Sequence, residues 1–243
     1  MGFIVDKKIT VKEIFFAISS GFKSYYQRFF LHTLTTLIIP FIIGIIFSVV
    51  YYSALILKQD AFILPLSYPL FCMMIPLMMA NVAITDQIYN QNITGINYIK
   101  YIIYKIWSNG VLKLIFLCAL LQTAIYLASL YVVNTDLTFA RALYDGLSIS
   151  AVILQIIIFF AVPAKIYDQN NTPPFKWLCK TIISCLKNFI PILIFIIISI
   201  TSILLITLII PKSIYAIYLF LLLIVLFMIF FGIVCNRIAN KII

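Results

Sequence analysis

The side chains in this sequence that could carry chemistry are few and far apart. It contains one histidine, His32, and five cysteines that form no Cys-x-x-Cys pair: Cys72, Cys118, Cys179, Cys185 and Cys235. Zinc sites need several such ligands at close spacing, and a two-histidine site needs a second histidine. The sequence therefore predicts no metal site and no disulfide framework, and the cysteines are interpreted as small apolar packing residues.

Nucleophilic and phosphate-binding motifs are also missing. The sequence contains neither a Gly-x-Ser-x-Gly motif nor a Gly-x-x-x-x-Gly-Lys loop. Asp86 and Asp168 fall where polar loops begin, which predicts solvated or capping carboxylates, and Lys113 lies close enough to an interface to extend out of the membrane. Catalysis within a membrane usually requires ionisable residues inside the spans. We therefore expect a non-enzymatic protein that needs no cofactor.

Three amide side chains inside apolar segments are the remaining candidates. Gln122 and Gln155 lie at similar depth in two neighbouring segments, so they are predicted to hydrogen-bond across antiparallel helices. Asn81 lies in another apolar segment. The pattern leaves two interpretations open for these amides, because they serve either as interhelical contacts or as part of a polar path for a substrate.

The composition explains why so few polar groups are present. Of 243 residues, 65% are hydrophobic and 10% are charged, whereas soluble domains are roughly half apolar and about a quarter charged. The mean hydropathy is +1.17. A soluble fold of this size needs far more polar surface, so the composition excludes a soluble globular protein and predicts an all-α integral membrane protein.

Six apolar segments are long enough to cross about 30 Å of hydrocarbon. Strand-like alternation is absent from them, so they are predicted to be transmembrane helices, and short polar connections pair them into three hairpins. The six segments cover residues 33–56, 61–85, 110–133, 143–164, 189–211 and 213–235.

Basic residues give these spans a predicted direction. With six spans, all but three of the 17 Lys and Arg residues fall on one side of the membrane, and the exceptions are Lys58, Arg141 and Lys212. The positive-inside rule therefore places both termini in the cytoplasm. The net charge of +10 is accordingly assigned to the membrane, and no nucleic-acid partner is expected.

A shorter amphipathic segment precedes each hairpin. Apolar residues recur with helical spacing over residues 11–29, 96–106 and 175–185, and lysines and other polar residues occupy the opposite face. Helices of this kind lie in the membrane interface, so each hairpin is predicted to follow a cytoplasmic interfacial helix.

The beginnings of these segments carry capping signals and reveal a repeat. Thr10 and Glu13 form a capping box before the first segment, and Thr172 is predicted to cap the third with Pro173 at its first helical position. The segments start about 80 residues apart, which predicts three copies of one unit. The copies cover roughly residues 10–85, 93–164 and 172–236 of a single domain spanning 1–243.

Eight bases in the amphipathic segments are predicted to bind lipid head groups. They stand beside Phe, Tyr, Trp and Ile residues, and each base near an anionic leaflet contributes on the order of 1 kcal/mol. Orientation of the spans alone is the competing explanation for them. This set, called here the basic collar, comprises Lys12, Lys23, Arg28, Lys100, Lys105, Lys176, Lys180 and Lys187.

One stretch of about thirty residues resembles a known family. The residues concerned are Val162-Pro163-Ala164, Asp168, Pro174, Ser184 and Asn188. In this pattern, and in its layout along the whole chain, the protein resembles a broad group of uncharacterised bacterial six-helix inner-membrane proteins. The group includes YciC-like proteins and the membrane domain attached to some glycerophosphodiester phosphodiesterases. The resemblance implies a bacterial inner-membrane location but no activity, and residues 86–94 depart from it because they lack the prolines.

Three functions follow from these observations. The favoured one is a non-enzymatic inner-membrane protein that binds anionic lipid or a membrane-protein partner and supports upkeep of the cell envelope. The alternative is a transporter or lipid-moving protein that uses the hairpins as a kinked bundle. The third, a lipid-modifying enzyme, lacks the residues that such chemistry requires.

Overall fold

A computed structural model of the chain describes seven stretches, and the described part is helical, without a β-strand. The stretches are residues 8–56, 63–88, 96–108, 110–133, 139–168, 170–209 and 214–242. The helices within them are α1 (Val11–Gln27), α2 (Phe29–Ile56), α3 (Ile63–Ile88), α4 (Ile96–Ser108), α5 (Val111–Val133), α6 (Ala140–Lys165), α7 (Pro174–Lys187), α8 (Phe189–Ile209) and α9 (Ile214–Ile242).

The three predicted amphipathic helices are present as α1, α4 and α7. The capping box of α1 is confirmed, because the backbone N–H of Glu13 donates to Thr10 Oγ1 at 3.3 Å and the N–H of Thr10 donates to Glu13 Oε2 at 2.9 Å. The predicted start of α7 is wrong by one residue. Pro173 is the N-cap and Pro174 the first helical residue, so Thr172 does not cap this helix.

Four helices contain an apolar segment long enough to cross a membrane. These segments are Phe29–Ser53 in α2, Tyr68–Ile88 in α3, Val111–Val133 in α5 and Ala140–Lys165 in α6. A fifth crossing results if α7 and α8, which meet at an angle of 88°, form one broken span. Long apolar helices that suit a multi-pass membrane protein are thus present, whereas the predicted connections at residues 58–60 and 211–212 lie outside the described residues.

The core of the bundle lies where α3, α5, α6 and α9 meet. α3 contacts α5, α6 and α9, and α6 contacts α5 and α9. The side chains of Ile84, Leu114, Ile158 and Val234, one from each of these helices, are fully buried. By contrast, only 12% of the apolar segment of α2 is buried, so this helix lies at the periphery of the bundle.

Helix α1 joins the beginning of the chain to its end. It contacts α9 over the face that carries Gly21, where an added Cβ would lie only 2.9 Å from Cγ2 of Val234. Just before α1, the backbone N–H of Ile9 donates to Oδ1 of Asn188 at 2.8 Å, at the junction of α7 and α8. Residues 9–27 are therefore packed against α9 and the α7–α8 junction.

All three amphipathic helices lie at the same end of the bundle, called here the basic end, where α3, α6 and α9 finish. Helix α4 is held there by a 2.7 Å hydrogen bond between the hydroxyls of Tyr98 and Thr85. Helix α7 is held by Trp177, whose indole N–H donates to the carbonyl of Ala161 at 2.9 Å. These polar contacts position the side chains of the candidate site.

Candidate functional site at the basic end

A carboxylate shared by three helices forms the centre of the candidate site. Asp86, in the last turn of α3, accepts a hydrogen bond from the hydroxyl of Ser24 in α1 at 2.9 Å. Its second oxygen accepts from Nδ2 of Asn236 in α9 at 3.2 Å. The guanidinium of Arg237 forms an ion pair with Asp86 at 3.6 Å. Asp86 is therefore a tertiary contact, and its interpretation as a solvated or capping carboxylate was wrong.

The chain after α6 contributes a fourth element through Tyr167. Its hydroxyl accepts a hydrogen bond from the same Nδ2 of Asn236 at 3.2 Å. Burial raises the pKa of Tyr167 above its ordinary value of 10.0, although the bond from Asn236 opposes this effect. The phenol therefore stays protonated at neutral pH, and Asn236 connects Tyr167 to Asp86.

A cleft of about 470 Å³ opens beside this network. Its walls come from α1, α3 and α9 and from Tyr167, and every described side chain that lines it is polar. Among these described residues, Lys23 and Arg237 are the cations and Asp86 is the one carboxylate, which gives them a formal charge of +1. The other lining residues are Ser20, Ser24, Gln27, Gln87, Tyr167, Asn236 and Asn240.

A buried ion pair closes the turn that follows α6. Nζ of Lys165, whose side chain is fully buried, lies 2.5 Å from Oδ2 of Asp168 and also donates to the carbonyl of Thr172 at 2.6 Å. Asp168 in turn accepts from the backbone N–H groups of Asn170 and Thr172. Burial raises the pKa of Asp168, but the bonds from Lys165 and Thr172 outweigh it and hold the pKa below 3.8. Asp168 thus accepts backbone hydrogen bonds within the turn, but it caps no helix and is not solvated, because Pro173 is the N-cap of α7 and the carboxylate is buried against Lys165.

Two lysine ammonium groups, one from α6 and one from α7, lie against the indole ring of Trp177. Nζ of Lys165 lies 5.1 Å from the ring centroid and Nζ of Lys180 lies 5.0 Å from it. Both distances are within the range of cation–π attraction. One collar lysine is therefore held against the fold, and the aromatic ring that holds it also covers the buried ion pair.

The residues of the basic collar are spread over α1, α4 and α7 and do not converge on one point. Lys12, Lys23, Lys100, Lys176 and Lys187 are exposed, while Arg28, Lys105 and Lys180 are half-buried. Lys105 lies 5.6 Å from the ring centroid of Tyr101. Only Lys23 lines the cleft. Large apolar side chains are exposed on the same helices, among them Phe15, Phe22, Tyr104, Trp107 and Phe175.

The two glutamines in the membrane segments are in contact, as predicted. Nε2 of Gln122 in α5 donates to Oε1 of Gln155 in α6. Both also line a second, mostly apolar cavity of about 530 Å³ between α3, α5 and α6. Asn81 lies elsewhere, because its Nδ2 donates to Oγ1 of Thr35 in α2 at 3.1 Å. The structure therefore pairs two of the three amides and leaves the third as a link between α2 and α3.

The residues considered first for metal or nucleophilic chemistry do not assemble. His32 is fully buried in α2, and neither ring nitrogen has a hydrogen-bond partner among the described residues. The five cysteines are free thiols. Within the described stretches, no three His, Cys, Asp or Glu side chains form a group that could hold a metal ion.

Comparison with known proteins adds no relative. No protein family, curated protein or solved structure matches the chain. The resemblance to YciC-like proteins therefore stays a prediction.

Sequence reasoning missed most of the central network. The sequence pattern gives no role to Ser24, Tyr167 or Asn236, it counts Arg237 only as a base that orients the spans, and it places Asp86 where a loop begins. A signal was present, because Asn236 and Arg237 directly follow a predicted span and Asp86 follows another. Their contacts, however, join residues as much as 150 positions apart, which spacing alone does not reveal.

Proposed function

We propose that the chain is a protein of the bacterial inner membrane with six spans, arranged as three hairpins, and with both termini in the cytoplasm. The four apolar segments in α2, α3, α5 and α6 support this architecture. The proposal takes α8 and α9, helices of 21 and 29 residues, as the two further spans. The basic end then faces the cytoplasm, where the positive-inside rule expects bases.

Its proposed function is non-enzymatic binding of anionic phospholipid at the basic end, in support of envelope upkeep. One observation carries this proposal: exposed bases and exposed aromatic side chains occur together on all three amphipathic helices. Lys100 accompanies Trp107, which is 74% exposed, and Lys176 accompanies Phe175, which is 69% exposed. Aromatic rings at the depth of the head groups and cations in contact with phosphates are the contacts an interfacial helix makes.

The pairing of carboxylates at the basic end supports the same function. Glu13 pairs with Lys241 at 3.2 Å, and Asp86 and Asp168 pair with Arg237 and Lys165. Three carboxylates of this end are thus neutralised by bases that lie outside the collar. These three carboxylates do not draw on the collar for their ion pairs, and the proposal assigns the positive charge of the collar to the membrane, where each base contributes on the order of 1 kcal/mol of attraction.

The test measures the phospholipid bound by a variant in which four lysines of the collar have lost their charge. Lys100, Lys105, Lys176 and Lys180 are changed to Gln together, and the purified protein is analysed for bound phospholipid by mass spectrometry. We expect a clear loss of co-purified acidic phospholipid. The matched control changes the same four lysines to Arg, which keeps the charge and should keep the lipid. An unchanged lipid complement in the Gln variant would leave these lysines with a role in topology only.

A second candidate function is transport or lipid movement, which the cavity between α3, α5 and α6 favours. The cavity is mostly apolar but contains the Gln122–Gln155 pair and the hydroxyls of Tyr68 and Ser148. Such a lining suits an amphiphile. Proteoliposomes with fluorescent phospholipids, bleached from outside, test it. This function would be favoured by a protein-dependent loss of the inner-leaflet signal that Ser148→Trp abolishes. Ser150→Trp, at a residue that does not line the cavity, should leave that loss unchanged.

A further inference from the structure

The polar cleft between α1, α3 and α9 differs from the rest of the basic end because cations from two helices line one open cleft. We propose that this cleft is a binding site for a phosphate group, held between Lys23 of α1 and Arg237 of α9. The inference rests on the proposed function and deepens it, since it names a discrete head-group site in addition to the diffuse collar. Arg237 is not a member of the collar.

The state of Arg237 is the first argument. Its guanidinium lies 3.6 Å from Asp86, which is an ion-pair distance but too long for a hydrogen bond. Its Nε is buried and has no hydrogen-bond partner among the described residues. A guanidinium offers five donors in a fork that fits two phosphate oxygens. Arg237 is therefore oriented by Asp86 but retains donors for a ligand.

The other hydrogen bonds of Asp86 are the second argument. Ser24 and Asn236 each donate a hydrogen bond to it, so the carboxylate keeps good partners when Arg237 turns toward a ligand. The charge of the cleft is also suitable. Lys23 and Arg237 outweigh the one carboxylate, so an entering phosphate meets net positive charge.

The surroundings of the cleft favour a phosphate that belongs to a lipid. Phe22 and Tyr26, one position before and three positions after Lys23 on α1, are 61% and 79% exposed. Acyl chains beside these rings would place a head group at the level of Lys23. The volume of about 470 Å³ leaves room for the phosphate and a small polar substituent.

The experiment measures binding of fluorescent phosphatidylglycerol to the full chain in a maltoside detergent, which contains no phosphate. We expect the double variant Lys23→Gln with Arg237→Gln to weaken binding at least tenfold. Asp86→Asn should instead tighten binding, because it removes the negative charge that the described residues place in the cleft. A variant that merely misfolds loses affinity, so this gain separates a ligand site from a structural role.

Two controls define the outcome. Glu13→Gln removes the carboxylate of the neighbouring Lys241 pair, outside the cleft, and should leave binding unchanged. Fluorescent diacylglycerol, which lacks the phosphate, should bind at least tenfold more weakly. Unchanged affinity in the double variant, or equal affinity for diacylglycerol, would overturn the proposal.

Competition distinguishes the source of the phosphate. Displacement of the fluorescent lipid by millimolar inorganic phosphate or glycerol 3-phosphate assigns the cleft to soluble phosphates, and absence of displacement assigns it to lipid. The collar is tested separately. If the four-lysine Gln variant loses acidic phospholipid while the cleft variants bind normally, the cleft proposal fails and the proposed function stands.

Discussion

Nζ of Lys165 lies 2.5 Å from Oδ2 of Asp168, and the two side chains are 0% and 4% exposed. This pair fixes the turn between α6 and α7 and thereby the position of Tyr167 in the candidate site. Loss of one partner of a buried ion pair is strongly destabilising, because the other partner is left as an unpaired charge away from water.

Removing one member of the pair should therefore destabilise the protein. Lys165→Met leaves the Asp168 carboxylate buried without its cation, and we expect a loss of about 3 kcal/mol in unfolding free energy. Thermal or denaturant unfolding in detergent measures it. The double variant Lys165→Met with Asp168→Asn removes both charges and should recover part of the loss. If the double variant is as unstable as the sum of the two single variants, the pair is not coupled.

Acid should weaken the same turn. Because the folded protein holds the pKa of Asp168 below 3.8, its contribution to stability is complete above that value and is lost as the pH falls through the lower, folded-state pKa. The melting temperature should thus be insensitive to this residue near neutral pH and fall in strong acid. In Asp168→Asn the melting temperature should fall less in acid than it does in the parent protein. An identical dependence of melting temperature on pH in the two proteins would show that Asp168 is not responsible for the acid sensitivity.

The Gln122–Gln155 bond should contribute measurably to the packing of α5 on α6. Interhelical hydrogen bonds in membranes contribute about 0.6 kcal/mol on average and up to about 1.7 kcal/mol. A double-mutant cycle with Gln122→Leu and Gln155→Leu should give a coupling free energy in this range. Ser150→Ala is the control, because Ser150 is exposed and bonds only to its own helix, at Gly146. A coupling energy of zero would leave the pair as a feature of the cavity alone.

The contact of Gly21 with α9 should tolerate no side chain of moderate size. In Gly21→Val the new branched Cβ would lie 2.9 Å from Cγ2 of Val234, so α1 must move away from α9. Overpacking of this kind costs about 1–3 kcal/mol. Gly44→Val is the matched control on the peripheral α2, where an added Cβ has nothing within 4 Å. Equal melting temperatures for the two variants would refute a close α1–α9 contact.

The six-span topology predicts where a reporter active only in the periplasm will function. Fusions at Gln59, Asp136 and Lys212 should be active, because the positive-inside rule places these positions outside. Fusions at Asn92, Asn170 and Ile243 should be inactive. Activity at Asn170 would contradict the six-span topology directly, since Asn170 adjoins the Asp168 turn at the basic end.

Helical segments were predictable from the sequence because they depend on local pattern. The bounds predicted for α5 and α6, residues 110–133 and 143–164, lie within three residues of the helices Val111–Val133 and Ala140–Lys165. The Thr10 capping box was predictable for the same reason, since its two partners are three residues apart. The Gln122–Gln155 contact followed from depth in antiparallel neighbours.

The protein-facing side of each interfacial helix was not predictable. In α1 the buried residues are Ile14, Ala17, Gly21 and Ser24, whereas Phe22 is exposed. An apolar residue suits lipid and protein equally well, so periodicity identifies the helix but not which face meets which surroundings. The network around Asp86 depends on which helices are neighbours, and that information is not present in any one segment.

The packing of α1 against α9 has a consequence for how the chain is made. Ribosomes add about 5–20 residues per second, so the first helix emerges on the order of 10–40 s before the residues of α9 that cover Gly21. During this interval the glycine face of α1 lacks its contact with α9, and Asp86, once made, lacks Asn236 and Arg237. The nascent chain therefore exposes its future cleft until α9 supplies the missing wall.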